Sequence, residues 1–262
     1  MAKKTAAQNN RRAVIDDIRK KQKGAEKRRG YAIVGVCTLI AILIVGAAAY
    51  QPVKDWWDER QFDAVNLADI GAAASVCGEE SYEASEGSTH VATGTQVTYN
   101  HAPPATGNHW NESGVAPLPM AKKFYGTEDR PELEQIVHNS EHGYNIIWYD
   151  ETVAQDADEM SELRAIAAKF PGDSNFRYKM LVVPWLASDA EEVGSTFPDG
   201  QHIAFTHWSV DQTYIDKLTL AEGETAPDAV GIYQYCSEVS GAAFKTFMKN
   251  HPYTDSSEPA AM

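Results

Sequence analysis

Four of the eight histidines, His101, His109, His138 and His142, fall within 42 consecutive positions. They sit in two strings, YNHAPPATGNHW (Tyr99–Trp110) and VHNSEHGYNIIWY (Val137–Tyr149). Neutral imidazole is the commonest metal ligand and suits copper and zinc. His138 and His142 are four apart, so on a helix they share a face and can share an ion. His109, His138 and His142, with Glu141 beside them, therefore form a candidate copper or zinc set. A purely structural reading stands beside it. His138 and His142 can hydrogen-bond to backbone at a helix end with Glu141 as a charged partner, and His109 can fix the loop after Pro103-Pro104.

The string His138-Asn139-Ser140-Glu141-His142 also matches H-x-x-E-H, in which two histidines hold zinc and the glutamate activates water. A peptidase of that class needs a further acidic ligand on a later helix and a large substrate chamber, for which the chain is small. The chain lacks G-x-x-x-x-G-K-[ST], G-x-G-x-x-G, G-x-S-x-G and C-x-x-C, so nucleotide-binding, α/β-hydrolase and thioredoxin-type readings have no local support. The expectation is a protein without catalytic residues. His207 reads as a core or edge histidine on a strand, and His90, His202 and His251 show no constellation.

These side chains need a scaffold. Residues 95–99, 144–149, 178–185 and 203–210 are β-branched and aromatic runs between turn residues, and read as strands. In the last, Ile203, Phe205 and His207 share one face, with Ala204, Thr206 and Trp208 on the other. One helix starts at Asp156, with Glu159 completing a capping box, and carries Met160, Leu163, Ile166 and Phe170 to a stop at Pro171-Gly172. Another starts near Ser240, packs Phe244, Phe247 and Met248, and closes at Pro252. A helix from Pro131 ending at Gly143 would carry the His-x-x-Glu-His string. Strands with interspersed helices imply an α+β domain with a mainly antiparallel sheet.

The formal charge of −14 argues against nucleic-acid binding. It is unevenly spread: residues 1–30 carry 11 Lys/Arg against Asp16, Asp17 and Glu26, a net +8, which leaves −22 for the rest. Between the two regimes Tyr31–Tyr50 is an uncharged run of twenty residues, about 30 Å as a helix and therefore long enough to span a bilayer. Tyr31 at one end and Tyr50, Trp56 and Trp57 at the other suit the headgroup level. Arg28 and Arg29 place the N-terminus in the cytoplasm, so the acidic body lies on the extracytoplasmic face of the plasma membrane. Ala47–Ala49 resembles a cleavage site, but the basic region and apolar core are both too long for a signal peptide. The basic head can lie on anionic lipid or serve only as a topology signal. Cys77 and Cys236 are the two cysteines of the outer body and are expected to form one disulfide, while Cys37 is a small apolar residue in the span. The expected layout is a basic head 1–30, a transmembrane helix 31–50, a juxtamembrane helix and connector 51–88, an α+β domain 89–254 and a disordered tail 255–262. Acidic runs at Asp150–Glu162 and Asp189–Glu192 read as solvated faces, or as a surface that steers a basic partner such as a c-type cytochrome domain.

The strings YNHAPPATGNHW, VHNSEHGYNIIWY and FTHWSV resemble an actinobacterial family of membrane-anchored extracytoplasmic proteins of unknown function. Its pattern falls on Pro103, Pro104, Gly107, His109, His138, Glu141, His142 and Gly143. This chain departs from it in Ala105-Thr106, Ser140 and His207. Size and layout are also similar to an accessory subunit of the cytochrome bcc–oxidase supercomplex. The resemblance implies a non-catalytic subunit docked on the membrane respiratory complex, partnered by cytochrome bcc, terminal oxidase and lipid, and it adds weight to copper.

Overall fold

The computed structural model describes the backbone of residues 2–261 except 221, 222 and 224; side chains 1–16, 25, 51, 52 and 55–59 lie outside the described set. The aromatic pair Trp56–Trp57 and most of the basic head are among these. The chain forms two compact units, 1–57 and 58–262.

The first unit is helical, part of helix α1 (Ala2–Arg60). Over Asp17–Tyr50 the helix is long and apolar enough to cross a membrane. Its large side chains, among them Ile33, Leu39, Leu43 and Val45, are exposed, as are Tyr31 and Tyr50.

The second unit is α+β. In chain order it contains β1 (Ser81–Ala84), β2 (His90–Val91), β3 (His109–Trp110), α2 (Leu133–Glu141), β4 (Asn145–Tyr149), α3 (Glu151–Gln155), α4 (Ala157–Ala168), β5 (Met180–Pro184), α5 (Ala187–Val193), β6 (Ile203–Ser209), α6 (Gln212–Ile215), β7 (Val230–Cys236) and α7 (Gly241–Asn250). Five strands form one sheet in the order β1-β7-β6-β4-β5, antiparallel except for the β4–β5 pair. Three expected strands match β4, β5 and β6 in place. Residues 95–99 are not a strand, because Val97 spends its backbone N–H on the Glu134 carboxylate rather than on a ladder. β1 and β7 lie outside the expected strands.

Every residue of β4, β5 and β6 is buried, so these strands are apolar on both faces and show little sequence alternation. Their alternation instead sorts side chains between two cores. Ile147, Tyr149, Val182, Ile203 and Phe205 join Leu163, Ile166 and Phe170 of the α4 region and Phe244 and Phe247 of α7. Ile146, Trp148, Leu181, Val183 and Trp208 face the other way, onto Ile136 and Val137 of α2 and onto Tyr99 and Leu118 of the long loops. The Asp156 carboxylate accepts from the N–H groups of Asp158 and Glu159 to start α4, and Ser240 Oγ accepts from the N–H of Ala243 to start α7. Cys77 and Cys236 are disulfide-bonded, tying the segment before β1 to the end of β7; Cys37 is free.

The stretch expected as a disordered tail makes defined hydrogen bonds over residues 255–261. Asp255 Oδ1 lies 2.7 Å from His207 Nε2, and the Asp255 carbonyl accepts from the N–H of Val210. Further along, the buried Lys179 ammonium donates to the carbonyls of His142, Pro259 and Ala261. A short, polar sequence leaves no apolar signature, so this attachment is made by hydrogen bonds that only the folded sheet can supply.

Candidate metal centre

Helix α2 is the foundation of the site. The N–H of Glu132 donates to Gln135 Oε1 at its start, and Ile136 and Val137 anchor it on the sheet. That leaves His138 and Glu141 in its last turn, with His142 as the closing residue at φ −80° and ψ 8°. Gly143 follows at φ +84°, a left-handed conformation that ends a helix with least strain when the residue is glycine.

Two strand histidines meet this turn. β2 and β3 run parallel, with His90 opposite His109 and Val91 opposite Trp110. The His138 ring stacks on His90 with centroids 5.6 Å apart and meets His109 edge-on at 5.0 Å. Ligand atoms of His90, His109 and His138 lie within 4.8 Å of one another. Glu141 Oε2 lies 2.9 Å from His109 Nε2 and 3.3 Å from His90 Nε2, and His142 Nε2 lies 3.1 Å from His138 Nε2. His109, His138, Glu141 and His142 are buried, whereas His90 is exposed.

Backbone carbonyls decide how two of these rings present themselves. His109 Nδ1 lies 2.8 Å from the Gly107 carbonyl, and His138 Nδ1 donates to the Trp110 carbonyl. A carbonyl only accepts, so each Nδ1 carries a proton, and in the neutral imidazole each Nε2 then presents a lone pair. A metal-bound imidazole is held in this way, its other nitrogen donating to a backbone carbonyl. Gly107 reaches its position at φ +138°, and a Cβ there would sit 2.7 Å from the Tyr99 ring. His90 differs: the Asn111 amide nitrogen lies 3.0 Å from its Nδ1. Turning that amide over makes its oxygen the acceptor and frees His90 Nε2.

The electrostatics match. Burial, then neighbouring His138 and Lys179, pulls His142 down to about 3. Burial likewise lowers His138, against the Trp110 carbonyl. Both are neutral at neutral pH, the form that ligates. Among the described residues His109 Nε2 is buried without a hydrogen-bond partner, with Glu141 Oε2 2.9 Å away. Two acceptors facing each other repel, and a cation between them removes the repulsion. The three imidazoles are close enough to share a metal ion, and the set fits one: nitrogen and oxygen donors, no thiolate, one negative charge.

Of the histidines singled out by spacing, His109, His138 and His142 do converge, with Glu141. His90, read as lacking a constellation, is corrected: the two-residue β2–β3 ladder brings it in, and strands that short leave no periodic signal. His101 goes elsewhere, to Glu86 and Glu83, and the bond to Glu86 raises its pKa against the effect of burial. His207 is no ligand here; its nitrogens meet Asp255 and the Tyr144 carbonyl. His202 and His251 pair with Asp150 and Glu80. The H-x-x-E-H string is completed by strand histidines, not by an acidic residue on a later helix.

A family profile described as "Protein of unknown function (DUF3105)" matches residues 90–221, which include every member of this cluster. No curated protein and no solved structure matches the chain.

Proposed function

The chain belongs to the DUF3105 family, which is defined by sequence and not by an activity, and from that premise we propose that it is a membrane-anchored protein whose extracytoplasmic domain binds one copper or zinc ion. His90, His109 and His138 would hold the ion, with Glu141 as the carboxylate and His142 alongside. A bound ion would supply a positive charge that neutralises Glu141 and joins strand and helix histidines; no catalytic step is assigned to it. The observation that carries this reading is the orphaned Nε2 of His109, held lone-pair-inward by the Gly107 carbonyl and buried beside a carboxylate. The outer location is supported by the basic residues before Tyr31, and the Cys77–Cys236 disulfide suits an oxidising compartment. The test is metal analysis of detergent-solubilised full-length protein after stripping and reloading with Zn(II) or Cu(II). One equivalent in the wild type and loss in His109→Ala and His138→Ala supports the reading; absence of stoichiometric metal, or unchanged binding in both variants, removes it.

A second reading concerns the partner. An accessory subunit of a respiratory cytochrome bcc–oxidase assembly is supported by the exposed apolar stretch of α1 and by the acidic outer domain. The two readings are compatible, since an outer-face metal protein can deliver copper to an oxidase. Gentle-detergent capture that recovers no cytochrome subunit would remove the second and leave the first.

A further inference from the structure

The C-terminal segment crosses the histidine cluster and is fixed on both sides of the crossing. Upstream, Asp255 is held by His207 and by the Val210 N–H, and Ser256 is buried. Downstream, Lys179, a residue 1% exposed, donates from Nζ to Pro259 O at 2.9 Å and Ala261 O at 2.7 Å while also holding His142 O at 2.7 Å. One ammonium thus ties the end of the ligand helix and the end of the chain together. Between these anchors the N–H of Glu258 donates to the Glu141 carbonyl. The Glu258 carboxylate then reaches back, with Oε2 3.2 Å from His142 Nε2.

His142 Nε2 therefore stands between His138 Nε2 and Glu258 Oε2. The Glu258 side chain is 46% exposed and that of His90 39% exposed, against 7% for Glu141 and 4% for His142. Glu258 and His90 are thus the solvent-exposed members of the cluster. A carboxylate on a tethered segment at the exposed side of the cluster is suited to coordinate an incoming divalent cation.

We infer that residues 256–261 are a strap over the metal centre, and that Glu258 is a carboxylate which the strap contributes to the bound ion together with His142. This rests on the metal-binding reading and extends it to regulation: by linkage, an ion that holds Glu258 strengthens the strap's attachment, and loosening the strap weakens the ion's hold to the same extent. The upstream and downstream anchors do not involve the cluster's donor atoms, so the strap stays in place when the site is empty and tightens when it fills.

The experiment uses full-length protein in detergent with Co(II) and Zn(II) as probes. Wild type, Glu258→Gln, Glu258→Asp and His109→Ala are compared by chelator competition, by the Co(II) visible spectrum and by hydrogen exchange of residues 256–261. The strap predicts a loss of affinity of about 10- to 100-fold in Glu258→Gln. It also predicts partial rescue in Glu258→Asp, an altered Co(II) spectrum, and exchange in 256–261 that slows on metal addition in wild type only. Metal binding in wild type that is lost in His109→Ala but unchanged in Glu258→Gln, with tail exchange indifferent to metal, overturns the strap and leaves the metal centre standing. No metal bound by wild type overturns both. Exchange in the unaltered wild type separates these outcomes even if a variant misfolds.

Discussion

Gly143 and Tyr253 approach so closely that a Cβ on Gly143 would lie 2.5 Å from the Tyr253 carbonyl oxygen and 2.7 Å from Ser256 Oγ. The residue that ends the ligand helix is thus also the seat of the C-terminal segment. Gly143→Ala must adopt φ near +84° and displace backbone. The strain alone costs about 1–3 kcal/mol. Denaturant unfolding should show at least that loss, with faster hydrogen exchange in 253–261; a variant as stable as wild type contradicts the contact.

Metal retention should persist below the ordinary imidazole value of about 6.5. Protons compete with metal for imidazole, and they compete poorly where burial disfavours imidazolium, as at His138 and at His142, which is held down to about 3. Titrating the Zn(II)-loaded protein from about pH 8 downwards, half-release should fall clearly below about pH 6.5. Release at or above that value would mean that these rings are not the ligands.

Glu162 gives the α+β unit a pH-dependent stability independent of the histidine cluster. Burial, followed by Glu159, Asp158, Asp156 and Glu238, raises its pKa from 4.5 to about 7. The folded state then holds a proton that the unfolded chain has released, so the stabilisation is full below pH 4.5 and is lost as pH rises through about 7. Glu162→Gln removes the ionisation. Its melting temperature should exceed wild type at about pH 8 and converge with it at about pH 4; an equal difference at both values would assign the effect to packing.

The Cys77–Cys236 bond spans 159 positions and secures the segment leading into edge strand β1 against β7. Removing a native disulfide of this kind typically costs about 2–5 kcal/mol. The double variant Cys77→Ala/Cys236→Ala should unfold at lower denaturant concentration by that margin, and reductant should reproduce the shift in wild type but not in the variant.

Strands β4, β5 and β6 are legible as β-branched and aromatic runs, and α4 and α7 as apolar stripes with Asp156 and Ser240 at their starts, because burial selects residue type over several consecutive positions. The ending of α2 at Gly143 is equally visible. β1 and β7 are not: Ser81–Ala84 is polar and half-exposed, and Val230–Cys236 is interrupted by Gly231 and Gln234.

Local spacing alone is enough to put His138, Glu141 and His142 on one turn, because a helix repeats every 3.6 residues whatever surrounds it. It is also enough to mark Tyr31–Tyr50 as apolar and long enough to cross a bilayer, since hydrocarbon thickness sets a length that can be counted. Tertiary structure decided the rest of the site: that His90 faces His109, that His101 and His207 turn to carboxylates instead, and that Glu258 returns to His142. Those pairings join positions from 15 residues apart, at His101 and Glu86, to 116 apart, at His142 and Glu258. They depend on a two-residue ladder, on carbonyls that orient rings and on one buried ammonium, none of which imposes a periodicity on the chain.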